Sequence, residues 1–327
     1  MRQLLHLAFV PIVVGGISGA IAADRTVVNV AAPWEITTVD PASSGYVLQR
    51  LQIMETLVEV DADGALVPGL ATGWEASDDG LTWTFTLREG VSFHDGTTLD
   101  AAAATAALTR AQGQPGVLGK APVAGIEAAE GAVVVTLDQP FAALPAFLAH
   151  YSTVIPAPAA FDAEGTPVAA IGSGPFEVAE IAPPQSVSVT RFDAYWGEAP
   201  VIEGARYLAA GRAETRALLA ESGDADLVFT LDPSGYARLG SVDAVETVAV
   251  PIPRVVTLKV NAGHPFLADP RAREALSLAI DRAGIAAGIT RFPEAAATQL
   301  FPPALGAWHD PSLPALVHDA ERAAALL

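Results

Sequence analysis

The sequence predicts a mixed α/β protein, because strand and helix patterns alternate along the chain. The clearest strand is 81–87, in which aromatic and aliphatic residues alternate with three threonines. The clearest helix is an alanine-rich run that begins at Asp100 and continues to about Arg110. The 327 residues are 51% hydrophobic and 17% charged, which argues against intrinsic disorder and provides for a large core. This length suggests about two domains of roughly 150 residues each.

The other predicted elements of the N-terminal half follow from local patterns. Apolar residues recur at helical spacing between Val47 and Val58, which predicts an amphipathic helix. Asp and Gly cluster where the chain is expected to turn, since Asp bonds its own backbone and Gly accepts positive φ. The resulting elements are a strand at 26–31, a helix at 46–56, turns at 61–64 and 78–80, a strand at 133–137 and a short helix at 141–149.

The C-terminal half reads mainly as helices with two further strands. A helix over 213–221 is followed by Gly223, at a position typical of a C-cap. Beyond it we predict a buried strand at 226–229, a second strand at 255–260, helical structure over 271–288 and an amphipathic helix from Val317 to Leu327. The last helix has no stop signal, so we expect the sequence to be truncated there.

The acidic balance bears on possible partners. The formal net charge is -19, which repels phosphate backbones and anionic lipids. We therefore expect neither nucleic acid nor a membrane surface as a partner. Cationic and zwitterionic ligands both remain compatible with this charge.

The N-terminus has the pattern of a secretory signal peptide. A short basic start at Arg2 precedes an almost wholly apolar run, and Ala20-Ile21-Ala22 is a small-x-small cleavage pattern. A membrane anchor is the alternative, but Pro11 and the pair Gly15-Gly16 favour cleavage. We predict that residues 1–23 are removed. The sequence has no cysteine, so no disulfide and no lipid attachment are expected, and a soluble periplasmic protein is predicted.

Motifs for catalysis and metal binding are weak. Three His-Asp pairs, at His94, His309 and His318, join neighbours that point in different directions, so we interpret each as a turn or helix-start acid beside a surface histidine. The segment 172–175, Gly-Ser-Gly-Pro, matches neither a nucleophile elbow nor a phosphate loop and is interpreted as a bend. The sequence therefore predicts no enzyme, no metal site and no cofactor.

A long series of motifs resembles the family 5 extracellular solute-binding proteins, which serve ABC importers for peptides, nickel and opines. The most specific block runs from Leu70 to Gly96 and includes the strand 81–87. Shorter matches follow in the family's order: Glu55-Thr56-Leu57, Gly172-Ser173-Gly174-Pro175-Phe176, Tyr195-Trp196-Gly197, Gly223-Asp224-Ala225-Asp226-Leu227 and 271–276. We interpret most of the signature, including Trp74, Trp83, Phe85 and Phe93, as sheet packing and turns.

The resemblance implies a two-lobed periplasmic binding protein fold of the large peptide/nickel class, in which the lobes close on the ligand. It places the first-lobe core at 24–45 and 168–258 and an inserted subdomain at 46–167. The second lobe would begin at 259, and residues 259–327 would be only its start.

The resemblance also suggests a ligand and partners. Trp34, Asp40-Pro41 and the segment 298–303 are similar to nickel-binding members, yet the arginine and tryptophan with which those members hold a chelated metal have no counterpart here. A small peptide and a metal chelate such as nickel therefore both stay open. The implied partner is the permease of an ABC importer, and a monomer is expected. The candidate ligand contacts, chosen for cleft-facing positions and polar tips, are Tyr46, Arg50, His150, Tyr151 and Ser152.

Two other classes of function remain as alternatives. A non-transporting periplasmic chaperone or sensor could use the same fold. A hydrolase would need a nucleophile and base in contact, which the sequence does not display.

Overall fold

The computed structural model describes residues 26–250, 252 and 254–327, so the predicted signal peptide lies outside the described residues. The chain divides into two compact units, the first ending at Thr230 and the second spanning Leu231–Leu327. Strands and helices alternate through the first unit, and the predicted mixed α/β class is confirmed.

The strands all lie in the first unit of the described chain. They are β1 Val27–Ala32, β2 Val58–Val60, β3 Leu66–Pro68, β4 Ala71–Ala76, β5 Thr82–Leu87, β6 Val123–Ala129, β7 Ala132–Leu137, β8 Phe176–Ala182, β9 Ser186–Arg191, β10 Gly204–Ala209 and β11 Leu227–Val228.

The helices occur in both units. The α-helices are α1 Pro41–Arg50, α2 Ala101–Gln112, α3 Leu144–Phe147, α4 Ala213–Ser222, α5 Pro233–Leu239, α6 Pro265–Ala268, α7 Pro270–Ala279, α8 Arg282–Ile285 and α9 Ala320–Leu326. Shorter 3₁₀ segments are Leu118–Lys120, Tyr151–Thr153, Pro158–Ala160, Pro293–Ala295 and Pro303–Trp308, and a π-helical turn spans Ala286–Thr290.

A five-stranded mixed sheet is built from two distant stretches of the chain. Its order is β11-β1-β10-β9-β8, with β1 parallel to both β10 and β11, and with β9 antiparallel to β10 and β8. Helix α1 packs on this sheet, and its Leu48 is fully buried with Phe176 and Tyr207 nearby in the same core. The carboxyl ends of the three parallel strands therefore meet at one edge.

A second, antiparallel sheet has the order β4-β5-β7-β6 and forms a separate core with α2. The alternation predicted for 81–87 is confirmed, since Phe85 and Leu87 are buried and Trp83 packs against the same cluster. Helix α2 begins as predicted, because the Asp100 side chain accepts a hydrogen bond from the Ala103 N–H at 2.7 Å. The strands β2 and β3 form a hairpin around the predicted turn at 61–64.

The helix predicted at 46–56 is misplaced. Asp40 accepts a hydrogen bond from the Ala42 N–H at 2.9 Å, and Pro41 occupies the first turn, so α1 starts at Pro41. It ends at Arg50, since Gln52 has φ of 54° and cannot continue the helix. The apolar residues that follow are buried in an irregular segment, which explains why their spacing resembled a helix.

The strand predictions after 220 are also only partly correct. Strand β11 contains two residues of the four predicted, and Leu227 is exposed because β11 is at the edge of the sheet. The predicted strand at 255–260 is wrong, because these residues pair with no strand of the described chain and Val256 is fully exposed. Helix α4 is confirmed, with Gly223 in the left-handed conformation at φ 76°.

The second unit is helical. The structure predicted over 271–288 is interrupted after α7, and Asp281 then caps α8 by accepting from the Gly284 N–H at 2.8 Å. Helix α9 begins at Ala320 rather than Val317, because Asp319 is its N-cap. Helices α7 and α9 share a small core of Ala275, Leu278 and Ala323.

Two glycines allow a close crossing of the backbone in the first unit. A Cβ at Gly172 would lie 2.0 Å from the Ile53 carbonyl oxygen, and one at Gly174 would lie 2.0 Å from that of Gln52. His94 secures the same crossing: its Nε2 donates to Gly174 O at 2.9 Å, and its Nδ1 accepts from the Gly172 N–H at 3.3 Å. The prediction of a surface histidine is therefore wrong for His94, which is partly buried and structural.

Candidate ligand-binding site

Five aromatic side chains form a continuous line near the carboxyl edge of the parallel strands. We call this line the aromatic row; in order it consists of Phe229, Trp34, Tyr46, Tyr151 and His150. Successive ring centroids are 5.7, 4.7, 5.4 and 4.0 Å apart. The Trp34–Tyr46 and Tyr46–Tyr151 contacts are edge-to-face, a favourable geometry for aromatic pairs.

The row depends on how α1 meets the turn that follows α3. A Cβ at Gly45 would lie 2.5 Å from the Tyr151 carbonyl oxygen, so only glycine lets the helix approach this turn. This approach brings the next residue of α1, Tyr46, against the ring of Tyr151. Each of the five aromatic side chains is half-buried, which leaves ring surface open to solvent.

Trp34 is anchored from the sheet. The hydroxyl of Tyr207 on β10 donates to the Trp34 carbonyl oxygen at 2.6 Å. Burial, opposed by this hydrogen bond, raises the pKa of Tyr207 to about 12. The phenol therefore stays protonated near neutral pH, and the loop after β1 is fixed at the end of its strand.

Arg50 lies over the row from the last turn of α1. Its guanidinium carbon is 4.0 Å from the centroid of Tyr46 and 5.3 Å from that of Trp34. Both distances are within cation–π range. The side chain is exposed, and a cation in the last turn also suits the helix dipole.

His150 and Ser152 form the other end of the row. The Ser152 N–H donates to His150 Nδ1 at 3.2 Å, and the Ser152 hydroxyl lies 2.9 Å from the same nitrogen. Because Nδ1 accepts, the neutral ring has its proton on Nε2. Partial burial, and then the charge of Lys120, lower the pKa of His150. The neutral ring is thus favoured, with Nε2–H as a donor.

All five residues predicted to contact a ligand therefore lie in one connected group. Four of them have a polar tip that is open to solvent. Ser152 differs, because it is buried and its hydroxyl also accepts from the Val117 N–H at 3.4 Å. In this geometry Ser152 positions His150.

Trp34 and Phe229 belong to the row, although they were not chosen as contacts from the sequence. A signal was present: Trp34 lies three positions after the predicted strand at 26–31, and Phe229 is the last residue of the predicted strand at 226–229. Ligands of open α/β sheets bind beyond the carboxyl ends of strands, so an aromatic side chain in such a place is a candidate contact.

A second polar group surrounds Glu55 and brings three family motifs together. The carboxylate accepts from the Ser173 hydroxyl at 2.8 Å, from the Tyr195 hydroxyl at 3.1 Å and from the Trp196 N–H at 3.0 Å. Burial outweighs these bonds and raises the pKa of Glu55 to about 7. The carboxylate is 6% exposed and has three partners, so we regard this group as structural.

A groove of about 460 Å³ lies elsewhere on the first unit, beside the start of α2. Its carboxylates are already engaged, since Asp95 accepts from both the N–H and the hydroxyl of Thr97 and Asp100 caps α2. A much smaller cavity of about 20 Å³ has Asp40, Ser152 and Phe161 among its lining residues. The row is the better candidate site because its polar tips are free.

The described part of the chain has neither a cluster of metal-ligating side chains nor a membrane-spanning helix. Within residues 26–250, 252 and 254–327, no three acidic or histidine side chains are grouped to hold a metal ion. Over the same ranges, none of the helices combines the length and apolar character that a membrane span requires.

A mixed sheet with aromatic rings and open polar tips at its carboxyl edge is typical of the place where α/β proteins bind small ligands. The chain belongs to the bacterial extracellular solute-binding proteins of family 5, because residues 65–327 match the middle region of that family. The resemblance inferred from the motifs is thereby confirmed.

The relatives agree with this assignment. The chain is 32% identical over 274 residues to the glutathione-binding protein GsiB of Salmonella paratyphi A, which covers 80% of this chain and 53% of the relative. It is similar to NikA from Brucella suis in complex with Fe(III)-EDTA, with a TM-score of 0.76, 25% identity and coverage of 91% of this chain and 63% of that one.

A further structural match is an ABC transporter substrate-binding protein from Sinorhizobium meliloti. The TM-score is 0.74 at 30% identity, and the match covers 92% of this chain and 64% of that one. The chain thus spans about half the length of the curated relatives that it matches and under two thirds of the structural ones.

Proposed function

We propose that the chain is part of the solute-binding component of an ABC importer, which captures a small peptide or a chelated metal such as nickel and delivers it to the permease. The observation that carries this proposal is the aromatic row, with Tyr46, Arg50, His150 and Tyr151 presenting polar tips on apolar rings. Membership of family 5 supports it, since relatives are named for binding glutathione and are found with Fe(III)-EDTA.

The proposed domain organisation follows the family's pattern. A first-lobe core at 24–45 and 168–258, with a subdomain inserted at 46–167, is supported by the five-stranded sheet, which joins β1 to strands after residue 175. The four-stranded sheet lies wholly within the inserted range. Residues 259–327 are proposed as the start of the second lobe.

We propose binding rather than catalysis. Ser152 and His150 are in hydrogen-bond contact, as a nucleophile and base would be, but the hydroxyl is buried against the Val117 N–H. His150 Nε2 has no carboxylate partner among the described residues, so no third group orients the ring as in a hydrolytic triad.

Localisation and partners complete the proposal. Proteins of this family are periplasmic or extracellular; here we propose the periplasm, reached through a signal peptide cleaved near residue 23. We propose a monomer that contacts a membrane permease. The net charge of -19 supports the proposal that nucleic acid is not a partner. Sequencing the N-terminus of periplasmic protein tests the export step, since a chain starting at Met1 would contradict it.

The function is tested by mass spectrometry of small molecules that co-purify with the intact protein, followed by calorimetry with glutathione, tri-alanine, nickel–histidine and Fe(III)-EDTA. We expect at least one of these probes to bind with micromolar or stronger affinity. Tyr46→Leu should weaken that binding at least tenfold, because it removes a central ring of the row.

Phe192→Leu is the matched control. Phe192 packs against His94, 4.9 Å between centroids, and has no contact with the aromatic row. Binding should be unchanged in this variant. Failure of every probe to bind, together with turnover of a generic ester that disappears in Ser152→Ala, would favour the hydrolase instead.

A further inference from the structure

We propose that Arg50 is the specificity determinant of the site and binds a carboxylate of the ligand, so that the transported solute is an acid-bearing peptide or chelate. This inference rests on the proposed function and narrows its ligand class. It comes from the state of the Arg50 side chain and from the charges around the aromatic row.

The Arg50 guanidinium contacts aromatic rings, but its N–H donors are not hydrogen-bonded to any described residue. The guanidinium carbon lies 4.0 Å from the Tyr46 centroid, and this contact leaves the N–H donors of the group unbonded. Among the described residues, no carboxylate lies within the 4.0 Å ion-pair limit of Arg50, and its side chain makes no hydrogen bond. Its donors therefore remain available to a ligand.

Three acids belong to the segments that carry the row, and none of them forms an ion pair with Arg50. Asp40, which caps α1, accepts from the Ala42 N–H at 2.9 Å. Asp226, at the start of β11, accepts from the Asn29 N–H at 2.8 Å and from its side-chain amide at 3.1 Å. Glu35 is exposed beside Trp34 and forms no ion pair with Arg50. A ligand carboxylate therefore meets no competing carboxylate within the ion-pair limit of Arg50 among the described residues.

The His150 end of the row also favours an anionic group of the ligand. His150 offers Nε2–H as a donor, and Lys120 is close enough for its charge to act on the imidazole. In a chain with a net charge of -19, a row with Arg50 over Trp34 and Tyr46 and with Lys120 near its His150 end is a local exception. Such a surface attracts an anionic group, and the planar fork of arginine matches a carboxylate in a bidentate way.

The test is a double-mutant comparison in the intact protein, with the ligand changed as well as the protein. Calorimetry measures the binding of glutathione and tri-alanine and of their C-terminal ester and amide forms, for wild type and Arg50→Gln. We expect Arg50→Gln to weaken binding of the free acids about tenfold to a hundredfold. Wild type should bind the ester and amide forms more weakly than the free acids by the same factor. Arg50→Gln should not weaken binding of these neutral forms further, because the change in the ligand and the change in the protein remove the same interaction.

Two more variants make the result specific. Arg50→Lys keeps the charge but loses the bidentate fork, so an intermediate affinity for the free acids is expected. Arg206→Gln removes an exposed arginine on β10 and should bind like wild type. Melting temperatures of all variants should agree within a few degrees, since Arg50 and Arg206 are both exposed.

The possible results distinguish a failure of the Arg50 role from a failure of the proposed function. Equal affinity of wild type for acid and neutral probes, unchanged in Arg50→Gln, leaves the solute-binding function standing and overturns the role of Arg50. A wild type that binds none of the probes, nickel–histidine and Fe(III)-EDTA included, overturns the proposed function, and the inference with it.

Discussion

The indole N–H of Trp196 donates to Glu55 Oε2 over 3.0 Å, although 140 residues of sequence separate the two side chains. Tyr195 and Ser173 donate to the same carboxylate, so three separate motifs of the family meet at one buried acid. Arg88 lies 4.1 Å above the Trp196 ring and extends the group towards the four-stranded sheet. The motifs thus meet at a hydrogen-bonded joint between distant segments of the chain.

The titration of Glu55 should make stability depend on pH. Burial raises its pKa from 4.5 to about 7, so between these values the folded state holds a proton that the unfolded chain has released. Its contribution to the free energy of unfolding is complete below pH 4.5 and is lost as the pH rises to about 7. The change is on the order of 3 kcal/mol.

Glu55→Gln removes this titration. Wild type should therefore lose stability relative to the variant as the pH rises through this window. Urea denaturation at several pH values measures both free energies of unfolding. Glu75→Gln, at an exposed position on β4, should show no such change. A pH-independent difference for Glu55→Gln would contradict the raised pKa.

Substitutions on the aromatic face of β5 should reduce stability by different amounts. Phe85→Ala should cost about 3–5 kcal/mol, because Phe85 is fully buried between Trp74 and Trp83. Trp83→Phe should cost less than about 1 kcal/mol, since the buried Trp83 N–H has no hydrogen-bond partner to lose. Chemical denaturation measures both. Solute binding by the Trp83 variant should be unchanged, and a loss of binding without a loss of stability would place Trp83 in the site.

The backbone crossing at Gly172 and Gly174 predicts that neither position tolerates a side chain. Gly172→Ala and Gly174→Ala should each destabilise by more than about 3 kcal/mol, because the new Cβ would overlap a carbonyl oxygen of the backbone. Gly73→Ala is the control: it lies in β4 with no atom within 4 Å of the added Cβ. Thermal melting of the three variants gives the comparison. Equal melting of Gly172→Ala and Gly73→Ala would show that the crossing can relax.

We expect stability to depend on the branched guanidinium group of Arg216. It is 3% exposed and donates to carbonyl oxygens after both β10 and β11, including Gly211 O at 3.0 Å and Phe229 O at 2.9 Å. Arg216→Lys keeps the charge but cannot reach all of these acceptors, so a loss of about 3 kcal/mol is expected. Arg212→Lys, at an exposed site, should be neutral. Because Phe229 belongs to the aromatic row, a loss of solute binding should accompany the loss of stability.

Local pattern was enough to predict most of the elements of the first unit. The alternation in 81–87, the cap at Asp100 and the glycine after 213–221 each act within a few residues, so a single sequence contains the information. The same reasoning misplaced α1, because apolar spacing reports burial while the helix ends where its backbone hydrogen bonds end. It also predicted a strand at 255–260, although a strand needs a neighbour that sequence pattern does not supply.

By itself the sequence determined the fold class, the family and the four residues that present polar tips along the row. Only the tertiary structure decided that Tyr46 meets Tyr151, that Trp34 and Phe229 complete the row, and that Ser152 faces inward. The physical reason is the range of each interaction. Caps and periodicity act between near neighbours, whereas the contact of α1 with the turn at Tyr151 depends on the close approach at Gly45, which packing of distant segments sets.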